Sequence, residues 1–166
     1  MSTVIQRLSP NWNKRPCPVD AIVLHATASR HGKSDVEWCC NPRSKVSYHT
    51  IIDRDGVIYA MVDTDKRAWH AGGSMFHGRG DCNDYAIGLA FANDNIGEPY
   101  TDRQYEIGAV VVAGYMAKHR LITLDRITTH AHVAMPPGRK TDPFGFDVPR
   151  FLNLVSQATL ATTLPR

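Results

Sequence analysis

A loop in the C-terminal third of the chain carries side chains that together could hydrolyse a bond at a metal ion. His130 is followed by a proline-bounded segment that contains Lys140 and Asp142. His25 is the candidate third ligand, because it closes an apolar run at residues 21–24 and a buried strand there would deliver its imidazole to a sheet edge. Two imidazoles and one carboxylate leave one position of a tetrahedral zinc ion open for water, which distinguishes catalytic zinc sites from structural ones.

Two more side chains are candidates for chemistry at this site. Lys140 lies two residues before Asp142, so both side chains project to the same side of an extended segment. Its ammonium can stabilise the oxyanion that forms when a carbonyl is attacked. Tyr48 and His49 face opposite sides of a predicted strand, so if Tyr48 contacts the water or the scissile carbonyl, His49 is structural. A lone histidine or lysine is more often a solvated side chain, so these assignments require the groups to converge.

The hydrophobic pattern predicts an α/β fold that could position these residues. We expect a central mixed β-sheet of four to six strands flanked by helices, with the zinc site in a groove at the sheet edge. Strands are expected at about 21–27, 47–53, 57–62, 85–91 and 127–129. Asp55-Gly56 supplies the positive φ angles of a tight turn, so the second and third of these strands should form a hairpin.

Three helices are predicted from the residues that would cap them. Residues 34–37 and 101–104 both have the spacing of a capping box. In this motif the side chain of the first residue accepts from the backbone amide of the fourth, and the side chain of the fourth accepts from the amide of the first. Asp147 is expected to cap a last helix that runs to about Ala158.

A long loop rich in glycine, histidine and asparagine is expected at residues 68–84, and loops of that length in compact domains are more often functional than idle. Trp69 and His70 place an indole and an imidazole on this loop, a suitable wall for a sugar or a peptide, although the indole could equally belong to the core. We expect five residues of the loop to contact the substrate: Trp69, His70, Ala71, Arg79 and Asn83.

Length and composition limit the class of protein. The 166 residues are expected to form one domain, residues 1–166, with an irregular lead at 1–20 and a frayed tail at 159–166. A net charge of +3 without a basic block predicts no nucleic-acid partner. The sequence has neither a signal peptide nor a membrane span, so we expect synthesis in the cytoplasm and no stable membrane association; we also expect a monomer. The four cysteines have no Cys-x-x-Cys spacing and should be free thiols.

Five segments, in order, resemble the type 2 N-acetylmuramoyl-L-alanine amidases. This group includes phage lysozymes of the amidase type, cytosolic muropeptide-recycling amidases (AmpD) and animal peptidoglycan recognition proteins. The resemblance runs from about residue 21 to 147 and is carried by His25-Ala26-Thr27-Ala28, Ser47 to Gly56, Arg67 to Gly72, Cys82 to Gly88, and His130 with Arg139 to Pro143.

The resemblance implies an activity and a set of roles. Zinc would be held by His25, His130 and Asp142, with Lys140 steadying the tetrahedral intermediate and Tyr48 assisting. The bond cleaved would be the amide between the lactyl group of N-acetylmuramic acid and L-alanine, so the partner is peptidoglycan or a muropeptide.

Three positions depart from the pattern of the recycling enzymes or of the phage enzymes. Recycling amidases read Gly-Ile-Glu-Leu, with the glutamate as a general base, where this chain has Ala90. Phage enzymes also lack that glutamate, so the change points to a phage-like mechanism. Asp142 stands where phage lysozymes often use cysteine, and residues 79–81 are less basic than in recycling enzymes.

The resemblance leaves four functions open. The expectation we place first is a phage-type endolysin that acts on the cell wall after release. The alternatives are a recycling amidase that uses soluble anhydro-muropeptides, a catalytically inactive peptidoglycan-binding domain, and a toxin delivered into competing cells.

Overall fold

The computed structural model describes the backbone of residues 3–163 and the side chains of residues 3–161. Fourteen elements follow the chain: β1 (Val4–Gln6), β2 (Trp12–Lys14), β3 (Ala21–Ala26), α1 (Gly32–Cys40), β4 (Thr50–Ile52), β5 (Ile58–Ala60), β6 (Lys66–Ala68), β7 (Met75–Phe76), β8 (Arg79–Gly80), β9 (Ala86–Phe91), α2 (Asp102–Lys118), β10 (Ile127–Thr129), α3 (His130–Val133) and α4 (Val148–Thr163).

Six strands form a mixed central sheet in the order β1-β5-β4-β9-β3-β10. The β4–β5 pair is antiparallel, and the other four pairings are parallel. This confirms the predicted fold class. Two small antiparallel sheets, β2 with β6 and β7 with β8, lie outside it.

The two faces of the sheet bury different kinds of residue. Successive side chains of a strand point to opposite faces, and every residue of β3 and β9 is buried. Ile22 and Leu24 pack in the core beneath α2 and α4. Val23 and His25 therefore face the other way, so the imidazole emerges on the face that α1 and the loop at 68–84 cover.

The local sequence signals that we used are confirmed at the hairpin and at two helix starts. The hairpin forms between β4 and β5, with Gly56 at a φ of +84°. At the start of α2, the Thr101 hydroxyl accepts from the Gln104 amide at 3.1 Å, and the Gln104 side chain accepts from the Thr101 amide at 3.1 Å. Asp147 accepts from the Arg150 amide at 2.9 Å and so caps α4.

The structure corrects the predicted start of α1. The helix begins at Gly32, two residues earlier than predicted, and Ser34 does not cap it. Instead the Asp53 carboxylate, from the turn after β4, accepts from the Gly32 amide at 3.2 Å. A Cβ at position 32 would lie 2.6 Å from that carboxylate, so the contact requires glycine.

Other predicted boundaries were also wrong. The lead is not irregular throughout: β1 pairs with β5 in the main sheet, and β2 pairs with β6. The last helix continues through Thr163 instead of ending near Ala158, and residues 164–166 lie outside the described part of the chain. The pairings of β1 and β2 join residues that are far apart in sequence, so local residue patterns did not predict them. The same patterns placed the end of α4 too early.

The expectations about thiols and membrane spans can be compared with the described residues. The four cysteines are free, as predicted. Within residues 3–163, no helix has the length and apolar character needed to cross a lipid bilayer.

Candidate metal centre

Three side chains from different parts of the chain converge on one point above the sheet. His25 comes from β3, His130 opens α3 directly after β10, and Asp142 comes from the loop that follows α3. One ligand atom from each lies within 4.8 Å of the others, and all three residues are buried. His130 Nδ1 is 3.0 Å from Asp142 Oδ1, and His25 Nδ1 is 3.3 Å from Asp142 Oδ2.

The strand register explains why these residues meet. β10 pairs in parallel with β3, and Thr129 is the partner of Leu24. The residues that follow, His130 and His25, therefore leave the same end of adjacent strands. The loop is fastened beside them because the Ala131 amide donates to the Asp142 carbonyl at 2.8 Å.

Hydrogen bonds behind the two histidines fix which nitrogen each presents. His130 Nε2 lies 3.0 Å from the Ala71 carbonyl, which can only accept, so this nitrogen carries a proton and Nδ1 is the nitrogen that faces Asp142, 3.1 Å from Oδ2. His25 Nε2 lies 3.1 Å from His70 Nδ1, and His70 Nε2 lies 3.4 Å from the Ala86 carbonyl. A proton on His70 Nε2 makes His70 Nδ1 the acceptor, so His25 Nε2 is the donor and, in the neutral ring, His25 Nδ1 is unprotonated.

The unprotonated nitrogen of His25 is a buried atom without a hydrogen-bond partner. Buried polar atoms of this kind are uncommon and call for an explanation, such as an ion. Two imidazole lone pairs and a carboxylate are ligands that zinc accepts. The residues present therefore fit a zinc ion, and the partners of Nε2 act as the outer hydrogen bonds that orient such ligands.

The protonation states also suit a cation. Burial lowers the pKa of His25 to about 4, which keeps the imidazole neutral. Burial alone would raise the pKa of the Asp142 carboxyl, but the neighbouring His130 and His25 outweigh this and hold it below its ordinary value. His25 is therefore neutral and Asp142 is an anion, the states in which these groups bind metal.

A groove of about 390 Å³ opens above the cluster and contains both residues proposed for the chemistry, Tyr48 and Lys140. The Tyr48 ring lies 5.1 Å from the His25 ring. Burial raises the pKa of the Tyr48 hydroxyl, so it stays protonated and can donate. His49 does not line the groove, and its Nδ1 accepts from the Gly88 amide at 2.9 Å.

The five residues expected to contact substrate lie in several places. His70 lines the groove, and Ala71 is buried behind His130. Asn83 accepts from the amides of His70 and Ala71 at 3.1 and 2.8 Å and so holds their backbone in place. The Trp69 indole donates to Asn13 at 2.6 Å, and Arg79 pairs with Asp20, both away from the residues that line this groove. Their contacts with substrate stay predictions.

Other residues line the groove that sequence reasoning did not select. Asp35 and Trp38 lie in α1, and Asn95 lies in the loop after β9. Asp35 and Trp38 are three residues apart, a spacing that places two side chains on one face of a helix. That spacing was the available signal, but only the packing of α1 over the sheet shows that this face borders the groove.

Ala90 is fully buried where the recycling enzymes carry a glutamate. It pairs with His25 across the β3–β9 ladder. Its methyl group belongs to an apolar cluster that also contains Val36, Cys39 and Ile51. The described residues thus offer no carboxylate from this position of β9.

Comparison with known sequences supports the chemistry that this geometry permits. The sequence model of the N-acetylmuramoyl-L-alanine amidases matches residues 15–145. The chain belongs to the N-acetylmuramoyl-L-alanine amidase family. This confirms the resemblance drawn from the motifs, and it places all three members of the cluster inside the matched region.

Relatives within the family are named for an anhydro-sugar substrate. The 1,6-anhydro-N-acetylmuramyl-L-alanine amidase AmpD of Haemophilus influenzae is 36% identical in an alignment 169 positions long that covers 89% of each chain. The AmpD of Salmonella typhimurium (strain SL1344) is 46% identical over 114 residues, which cover 68% of this chain and 58% of that enzyme. The match therefore spans little more than half the length of the Salmonella enzyme. A crystal structure of a selenomethionine derivative of AmpD superposes with a TM-score of 0.78 at 32% identity and covers 93% of this chain and 94% of that one.

Proposed function

We propose that this family member is a zinc-dependent amidase that cleaves the bond between the lactyl group of N-acetylmuramic acid and L-alanine in 1,6-anhydro-muropeptides. The observation that carries the proposal is the buried cluster of His25, His130 and Asp142, in which the His25 Nδ1 atom lacks a partner. The anhydro-sugar is part of the proposal because the relatives described above are named for it.

The reaction divides between the metal and the chain. When bound, zinc supplies Lewis-acid polarisation and a nucleophile at neutral pH. His25, His130 and Asp142 would hold the ion, and the Asp142 carboxylate would offset part of its charge. The Lys140 ammonium stabilises the negative charge that develops on the carbonyl oxygen. Tyr48 keeps its proton because burial raises its pKa, and it donates a hydrogen bond to the reacting groups. Ala90, which stands at the position of the usual glutamate, cannot move a proton.

The comparisons favour the recycling alternative over the endolysin that we placed first. The relatives described above carry the name of an anhydro-muropeptide amidase. An inactive binding domain is less favoured, because loss of catalysis usually erodes metal ligands and this chain has all three together with Lys140.

A comparison of two substrates tests this proposal. Purified zinc-loaded protein is given either 1,6-anhydro-N-acetylmuramyl tripeptide or intact sacculi, and release of free peptide is measured by mass spectrometry with and without a chelator. We expect rapid, chelator-sensitive cleavage of the small substrate and slow release from sacculi. Faster release from sacculi would support the endolysin hypothesis instead. Cleavage of neither substrate would support an inactive peptidoglycan-binding domain.

A further inference from the structure

The groove contains a buried carboxyl group that the proposed mechanism does not use. Asp35 is 8% exposed and lines the groove together with Tyr48, His130 and Asp142. Its Oδ2 atom accepts no hydrogen bond. Among residues 3–161, no lysine, arginine or histidine forms an ion pair with this carboxylate, and the nearby His31 lowers its pKa only slightly against the effect of burial.

The nearest hydroxyls satisfy Asp35 only in part. Thr27 and Ser29 lie close enough to hydrogen-bond its carboxyl and so to lower its pKa, but each hydroxyl proton is shared with a backbone carbonyl, and Asp35 Oδ2 has no hydrogen-bond partner. Thr27 Oγ1 donates to the Ser29 carbonyl at 3.2 Å, and Ser29 Oγ donates to the His31 carbonyl at 3.4 Å. Burial raises the pKa of the Asp35 carboxyl, and the two hydroxyls offset this rise only in part.

Burying a charged carboxylate costs free energy unless a cation or a hydrogen-bond donor pairs with it. A single carboxylate supplies too few ligands for a metal ion. A charged ammonium group would supply both the missing donors and the missing charge. The site therefore fits one positively charged amine better than a neutral hydroxyl.

The rest of the groove gives such a ligand an orientation. Lys140 lines the same groove and carries positive charge. The Arg139 guanidinium is occupied, because it donates to the carbonyls of Met135, Ala71 and Gly73 at 2.7 to 2.9 Å. Trp38 lies one turn after Asp35 in α1 and is 58% exposed, so an apolar surface borders the carboxylate.

We infer that Asp35 binds an ammonium group on the stem peptide of the substrate and so selects peptides with a basic side chain. This inference rests on the proposed function. In a muramoyl peptide the sugar nitrogen is acetylated and the nitrogen of L-alanine is an amide, so both are uncharged. The cation must therefore come from a side chain further along the peptide.

The test uses two muramoyl tripeptides of sequence L-Ala-γ-D-Glu-L-Lys, one with a free lysine amine and one with that amine acetylated. Turnover is measured with the zinc-loaded protein, and binding of both peptides is measured by calorimetry with the metal-free protein. We expect the wild type to prefer the free amine by about tenfold or more in kcat/KM and in affinity, in line with one hydrogen-bonded charge pair. Asp35→Asn should remove the preference by raising KM for the free amine alone.

Glu37→Gln is the matched control, because it removes an exposed carboxylate from the same helix outside the groove. It should keep the preference, and thermal melting of both variants verifies folding. The inference is overturned if Asp35→Asn weakens the binding of both peptides equally, or if the wild type does not prefer the free amine. If the protein binds the free-amine peptide preferentially but cleaves neither peptide, the role of Asp35 is supported and the proposed function is contradicted.

Discussion

His70 orients His25, a proposed metal ligand, through a single hydrogen bond. Its Nδ1 atom lies 3.1 Å from His25 Nε2, and this contact leaves His25 Nδ1 free to face the cluster. Outer hydrogen bonds of this kind typically contribute a factor of about 10 to 100 in metal affinity. His70→Ala should therefore weaken zinc binding by about that factor, measured by competition with a coloured chelator. His77→Ala, at an exposed position, is the control and should bind zinc like the wild type; equal affinity in His70→Ala would contradict the assignment.

Lys140 is expected to act on the reaction and not on the metal. The side chain is exposed and lines the groove without belonging to the ligand cluster. Lys140→Ala should keep one zinc per chain but lose hydrolysis by about 10²-fold or more, as removal of an oxyanion stabiliser does. Lys14→Ala removes an exposed lysine from β2 and should change neither value. Near-normal turnover of Lys140→Ala would refute the role.

The sequence was sufficient to select the three side chains that converge, but not the residues that support them. His25 and His130 each follow an apolar run, and Asp142 lies on a proline-bounded loop, so strand and loop signals identify all three. The contacts of His70 and Ala71 depend on the path of residues 68–84, which Asn83 holds through two backbone amides. Such long-range hydrogen bonds leave no local pattern, so the sequence did not predict these supporting contacts. The substrate contacts expected of His70 and Ala71 stay predictions.

The small residues of β9 make room for the imidazoles above them. The His70 ring packs directly on Gly88, where an added Cβ would lie 2.5 to 2.9 Å from ring atoms. Gly88→Ala should therefore displace His70 and cost about 1–3 kcal/mol in free energy of unfolding, measured by urea denaturation.

Gly114 provides the matched substitution for that experiment. It is exposed in the interior of α2, and no atom lies within 4 Å of an added Cβ. Gly114→Ala should stabilise the protein by about 0.4–1 kcal/mol, since alanine restricts the unfolded chain and favours the helix. The packing explanation of Gly88 fails if both substitutions change stability in the same direction.

Elements defined by nearby residues were predicted well, and elements defined by distant partners were not. The β4–β5 hairpin and the cap of α2 depend on residues within four positions of each other. The start of α1 depends on Asp53, about twenty residues away, and β1 exists because β5 offers it a partner. In both cases the decisive contact belongs to the folded chain and not to the segment itself.

Acid should destabilise the metal-free protein as a whole. Burial lowers the pKa of His25 to about 4 and of His49 to about 3, and it lowers that of His70 well below its ordinary value. As pH falls from 6.5 toward 4, the unfolded chain gains protons at these sites and the folded protein does not. The free energy of unfolding should therefore fall, by about 1.4 kcal/mol per pH unit for each histidine.

Urea denaturation of chelator-treated protein at several pH values measures this effect. The stability contributed by the neutral histidines should be fully present above pH 6.5 and decline through the window below it. A free energy of unfolding that stays constant between pH 7 and pH 5 would mean that these imidazoles are not held neutral.

We propose that residues 1–166 form a single amidase domain. The central sheet, α1 and the loops around residues 70 and 140 together form the groove. Each part contributes a different function. The parallel strands position the histidines, the loop after α3 brings the carboxylate and Lys140, and α1 adds Asp35 and Trp38. Because the cluster needs all of these parts, metal binding and catalysis should be gained or lost together when the ligands are altered.

Zinc titration of the metal-stripped protein tests that claim most directly. Cleavage of 1,6-anhydro-N-acetylmuramyl tripeptide is followed as zinc is added, with bound metal determined by elemental analysis. We predict no cleavage without metal, full activity at one zinc per chain, and neither metal nor activity in His25→Ala. Full activity in the stripped protein, or stoichiometric zinc in His25→Ala, would contradict the account.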